Sequence, residues 1–115
     1  MFETAASFAD AKRILTESPI SAPAIFSLAG IKPGETAVIE RTETEARVHE
    51  GGNTVANHWQ APGWRGHTRG LDSAGRACQM HSVPTEFDPR FSWLTRPILN
   101  WNTRLAMVAD ASEGR

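Results

Sequence analysis

The sequence predicts a small α+β domain in which a mainly antiparallel sheet is covered by helices. Three observations carry that expectation. A capped apolar stripe near the start repeats at helical spacing, several short apolar runs follow at close intervals, and turn-forming residues separate those runs.

The stripe consists of Phe8, Ala11, Ile14 and Leu15, which share one helical face, and Ser7 with Asp10 forms a capping box ahead of it. Ser18-Pro19 closes the segment, because proline disfavours helical backbone in the residue before it. A helix is therefore expected over residues 8–17. Pro23 to Leu28 reads as a buried strand ending at Ala29-Gly30, and Lys32-Pro33-Gly34-Glu35 as the turn after it. Ala37 to Arg41 is the second expected strand and Ala46 to His49 the third, joined by an acidic turn at Thr42 to Thr44. Glu50-Gly51-Gly52-Asn53 is a further turn and Thr54 to Trp59 a fourth strand. Such short spacing favours an antiparallel meander.

Gln60 to Gly70 is rich in glycine and reads as a loop. Asp72 or Ser73 is the expected cap of a helix reaching Met80, which Gly75 weakens by about 1 kcal/mol relative to alanine. Asp88-Pro89 puts a capping residue before proline at a first helical position, so a short helix bearing Phe91 and Leu94 is expected before Pro97. Thr103 to Ala109 is the last expected strand, followed by a polar tail. Phe26, Ile39, Val55, Trp93 and Leu105 are the candidate core. One domain spanning residues 1–115 suits this length.

Composition removes several function classes. With 40% apolar and 22% charged residues the chain is of the ordinary globular kind, and a net charge of −1 without a run of one sign gives no reason to expect nucleic acid. No apolar stretch approaches the roughly 20 residues that span a bilayer, and Met1-Phe2-Glu3-Thr4 does not start a secretory signal, so a cytoplasmic location is expected. Cys78 is the single cysteine, which excludes an internal disulfide; beside Ala77 and Met80 it is expected to be a packed, inert thiol. His49, His58, His67 and His81 lack the paired spacing of a metal site and read as surface or loop residues. Gly51-Gly52-Asn53 has no lysine after it, as a phosphate-binding loop would require. Neither a metal nor a cofactor is implied.

One segment invites chemistry. Asn57-His58-Trp59 ends the fourth expected strand and opens the polar loop, and Arg69 and Arg76 follow. An amide side chain at a strand end can donate to a developing oxyanion, and an arginine can hold a carbonyl or carboxylate oxygen. A turn-closing asparagine and two solvated arginines would leave the same pattern.

At these residues the sequence resembles the linear-amide hydrolases of the choloylglycine hydrolase superfamily, the group of N-acylethanolamine acid amidase and acid ceramidase. Ser21-Ala22-Pro23-Ala24 to Ala29-Gly30 is similar to the family's Ala-Pro strand that ends in a small residue and glycine. Val38-Ile39-Glu40-Arg41 is similar to its next strand, Val55-Ala56-Asn57-His58-Trp59 to its Thr-Asn and Trp segment, and Pro97-Ile98-Leu99-Asn100 with Thr103, Asp110 and Gly114 to its closing pattern. The ordered matches run over roughly residues 19–115. The resemblance implies part of a four-layer αββα fold, and an N-terminal cysteine that attacks an amide carbonyl with its own α-amino group as base. Asn57 would help to form the oxyanion hole. Either Arg69, by its distance from Asn57, or Arg76, by its Ser73-x-x-Arg76 context, would orient the site.

The departures shape the functional expectation. Position 1 is methionine, and the segment that carries the family's nucleophile has no counterpart here. Cys78 has no free amine and follows the oxyanion segment, so it does not replace that nucleophile. The chain is thus expected to be the C-terminal part of a linear amide hydrolase, inactive alone, with an N-terminal hydrolase half as its partner. The alternative is a non-catalytic binding or scaffold domain descended from such an enzyme. Either would leave apolar surface uncovered and favour self-association.

Overall fold

The computed structural model describes residues 4–52, 54–84, 86 and 88–114. The expectations placed on Met1 and Asn53 lie outside the described residues. Two helices and a three-stranded antiparallel sheet make up a small α+β fold: α1 Phe8–Glu17, β1 Ala24–Ala29, β2 Thr36–Arg41, β3 Ala46–Glu50 and α2 Ser73–His81, with the strands in the order β1-β2-β3.

Helix α1 begins as its capping box requires. The Ser7 hydroxyl accepts from the Asp10 backbone N–H at 3.1 Å and donates to the Asp10 carboxylate at 2.9 Å. The stripe turns inward, with Leu15 buried against the sheet, and the exposed side carries Arg13 between Asp10 and Glu17. Lys12 reaches Glu50 at the end of β3 at 2.6 Å.

The sheet is two hairpins. Strand β1 pairs with β2 from Ala24↔Arg41 to Ala29↔Thr36, and β2 with β3 from Ala37↔Glu50 to Arg41↔Ala46. Gly34 has a φ of 82°, which suits glycine in the first turn. The Thr42 hydroxyl accepts from the Glu45 N–H at 3.0 Å in the second. The central strand β2 is buried along Ala37, Val38, Ile39, Glu40 and Arg41, on both of its faces.

Those two buried charges define the layers. Successive side chains of a strand point to opposite faces. Arg41 points to the α1 side, where it donates to the backbone carbonyls of Leu15 and, at 3.0 Å, Ser18. It thereby satisfies carbonyls that a helix C-terminus leaves open, and it places a cation at the negative end of the helix. Glu40 points to the other side, where its carboxylate accepts from the N–H groups of Gln60 at 2.5 Å and Ala61 at 2.8 Å and contacts His49 Nε2 at 2.9 Å. A helix covers one face and a loop covers the other.

Three expected elements are absent. Residues 54–59 are not a strand, because their polar groups are engaged elsewhere: the Asn57 N–H donates to Ser73 Oγ at 2.7 Å, and the Asn57 carbonyl accepts from the Arg69 N–H at 2.9 Å. Asp88 does cap, accepting from the N–H groups of Arg90 at 2.9 Å and Ser92 at 2.8 Å, but Phe91 at φ 52° ends the turn before a helix can form. Residues 103–109 form no strand; the Thr103 hydroxyl folds back onto the Ile98 carbonyl at 2.7 Å. Leu105, expected in the core, is 81% exposed, whereas Ile39 is fully buried and Phe26, Val55 and Trp93 are half-buried.

Candidate functional site

The three candidate residues converge on the start of α2. Asp72 is the cap, in the left-handed region at φ 41°, and its carboxylate accepts from the Gly75 N–H at 3.0 Å. Ser73, Arg76 and Met80 then fall on one face of the helix by their spacing. Ser73 is buried, and its hydroxyl lies 2.7 Å from the Asn57 N–H and 2.8 Å from His58 Nδ1. Arg76 donates from Nη2 to Asn57 Oδ1 at 2.9 Å and from Nε to the Leu71 carbonyl at 2.8 Å. Helix α2 therefore holds Asn57 at two points, one on the backbone and one on the side chain.

Of the two arginines, Arg76 is the one whose side chain contacts Asn57. Arg69 joins the cluster through its backbone. Its N–H donates to the Asn57 carbonyl, and its own carbonyl accepts from Arg76 Nη2 at 3.4 Å. Among the described residues the Arg69 guanidinium has no hydrogen bond or ion pair. Gly70, at φ 74°, makes the tight return possible, since a Cβ there would lie 3.1 Å from Arg76 Nη2.

This geometry orients the Asn57 amide. A guanidinium only donates, so the amide oxygen faces Arg76 and the amide nitrogen is left as a donor. Among the described residues that nitrogen has no hydrogen-bond acceptor, and Asn57 is exposed. The arrangement can present an N–H group, backed by a fixed cation, to an oxygen that carries negative charge.

The Ser73 hydroxyl is buried and already engaged, and so is not open to a substrate. His49 and His58 are half-buried and hydrogen-bonded rather than free surface residues, while His67 and His81 are exposed. Among the described residues no three of His, Cys, Asp and Glu lie together as metal ligands. Cys78 is exposed, not packed as expected, because it falls off the face that Ser73 and Arg76 fix and α2 lies on no strand. Sequence reasoning missed Glu40 and the role of Ser73; a carboxylate at the end of the apolar run Ala37-Val38-Ile39 was the available signal.

Two cavities flank these elements. An apolar pocket of about 240 Å³ is lined by Leu71, Arg96, Pro97, Leu99, Asn100 and Trp101, and adjoins the cluster through Leu71, whose carbonyl holds Arg76. A wider groove of about 770 Å³ lies between the β1–β2 turn and residues 108–112, and shares no residue with the cluster. Among the described residues no helix is long and apolar enough to cross a membrane. Comparisons with protein-family models, with curated proteins and with solved structures find no match.

Proposed function

We propose that this chain is the C-terminal part of a linear amide hydrolase and supplies the oxyanion-binding side of its site. The observation that supports the reading is the 2.9 Å contact from Arg76 to Asn57 Oδ1, which leaves the Asn57 amide nitrogen as an oriented donor with no acceptor among the described residues. In this reading Asn57 stabilises the oxyanion, Arg76 holds Asn57, and Arg69 serves through its backbone. The apolar pocket beside Leu71 takes the apolar part of the amide. The nucleophile is the N-terminal cysteine of an N-terminal hydrolase half, since Cys78 is an exposed thiol within α2 and carries no free α-amine.

The test is reconstitution. The 115-residue chain alone is expected to show no measurable hydrolysis of N-acyl amides, because oxyanion donors without a nucleophile leave only residual acceleration. Hydrolysis is expected when a polypeptide beginning with cysteine is supplied, and Asn57→Ala should then lower kcat by roughly 10²–10³, the usual size of one oxyanion donor. Turnover that ignores Asn57→Ala would overturn the assignment. The wide groove at the β1–β2 turn, remote in sequence from the cluster, favours a second reading, a binding or scaffold domain without catalysis; it predicts ligand capture that Ile31→Glu abolishes and Asn57→Ala leaves intact.

A further inference from the structure

The buried Ser73 hydroxyl has two neighbours, and elementary hydrogen-bond chemistry fixes what passes between them. The Asn57 backbone N–H can only donate, so at 2.7 Å the serine oxygen accepts from it. The hydroxyl proton must then find an acceptor of its own, because a buried donor without a partner costs about 1–3 kcal/mol. Among the described residues the one acceptor in reach is His58 Nδ1, at 2.8 Å. With Nδ1 accepting, the neutral imidazole carries its proton on Nε2. Ser73 thus ties two consecutive residues, Asn57 by its backbone and His58 by its ring, to the first turn of α2. Three residues further along the same turn, Arg76 takes the Asn57 side chain.

We infer that Ser73 is the positioning residue of the site: its buried hydroxyl anchors the Asn57 backbone and fixes His58 as the Nε2–H tautomer, so that the Asn57 amide is presented to a substrate oxygen already oriented. Backbone and side-chain anchors on one helix turn leave the Asn57 side chain little rotational freedom, which is what a preorganised donor requires. The catalytic meaning of this arrangement rests on the amide-hydrolase reading, but the arrangement itself is measurable without any activity.

The experiment uses the full chain in solution. Two-bond ¹H–¹⁵N correlations of the His58 ring should show an unprotonated Nδ1 and a protonated Nε2 near neutral pH. Ser73→Ala should convert the ring to a mixture of tautomers. It should also speed exchange of the Asn57 amide by roughly tenfold or more, about 1.4 kcal/mol of lost protection, while the Ala61 amide, held by Glu40, keeps its rate and reports an intact fold. Ser73→Thr, which retains the hydroxyl, should restore both signatures. A protonated Nδ1 in the natural chain would overturn the inference, and that measurement needs no variant to fold. Unchanged Asn57 exchange in Ser73→Ala would overturn it equally. Failure of reconstituted hydrolysis with these signatures present would instead reject the amidase reading and leave the anchoring role standing.

Discussion

Glu40 shows how much one side chain can carry. Its carboxylate is fully buried and accepts from the backbone N–H groups of Gln60 and Ala61, which have no other partner among the described residues, so it supplies the acceptors that a neighbouring strand would otherwise offer them. Glu40→Ala leaves both N–H groups unsatisfied at about 1–3 kcal/mol each, and Glu40→Gln, with one acceptor oxygen, should cost roughly half as much. Urea unfolding monitored by tryptophan fluorescence reads the difference, since Trp59 and Trp64 stack edge-to-face in the loop that Glu40 holds. Asp88 gives one local turn a pH dependence. The Ser92 hydroxyl first, then the N–H groups of Arg90 and Ser92, hold its carboxyl below its usual 3.8. A depressed folded value means that the stabilisation is present above pH 3.8 and disappears as the pH falls through the lower, folded one. The 88–92 turn should therefore persist at pH 4 and loosen only in stronger acid, which a carbon-detected carboxyl titration follows; Asp88→Asn should abolish the transition.

At the scale of elements, local chemistry was legible where it was sufficient. The capping box and stripe placed α1 at residues 8–17, where it is found, and turn residues located the two hairpins to within a residue. Strand-like residues at 54–59 and 103–109 needed a neighbouring strand edge, and no local pattern reports whether one is present. The candidate site was legible only as residue types, Asn57 and two arginines, and it took the fold to show that the Arg76 side chain contacts the Asn57 amide. Gly75 lowers the propensity of α2, as its sequence suggests, but a Cβ there would lie 2.2 Å from the Asp72 carboxylate that caps the helix. Gly75→Ala should gain about 1 kcal/mol in helix propensity and lose a cap of similar size, giving a net change near zero. Thermal unfolding of Gly75→Ala beside Asp72→Ala/Gly75→Ala tests this: the second alanine should help only where the cap is already gone.

As a whole the molecule is thin. Its radius of gyration is 15.0 Å, against about 13 Å for a compact domain of some 100 residues, and one dimension is 22 Å where the others are 37 Å. Among the described residues Leu15, Ala37, Val38, Ile39 and Ala61 are the buried apolar ones, while Ile31, Trp101, Leu105 and Met107 lie two-thirds or more exposed. Apolar surface of that kind favours association. Sedimentation velocity should show mass rising with concentration, and Leu105→Lys with Met107→Lys should return the chain to a monomer whose thermal midpoint no longer varies with concentration. A monomer at all concentrations would remove self-association from the account.

Glu40 and Arg41 are neighbours on one strand with opposite charges aimed at opposite faces. Sliding β2 by a single residue would exchange those faces. The carboxylate would then confront the carbonyl end of α1, and the guanidinium would confront the backbone N–H groups of Gln60 and Ala61. Both encounters are repulsive, where in the native alignment both are attractive. The dipeptide therefore works as a polarity key: it lets helix and loop close only over a correctly aligned hairpin, and it ties the placement of the Asn57 loop to that same alignment.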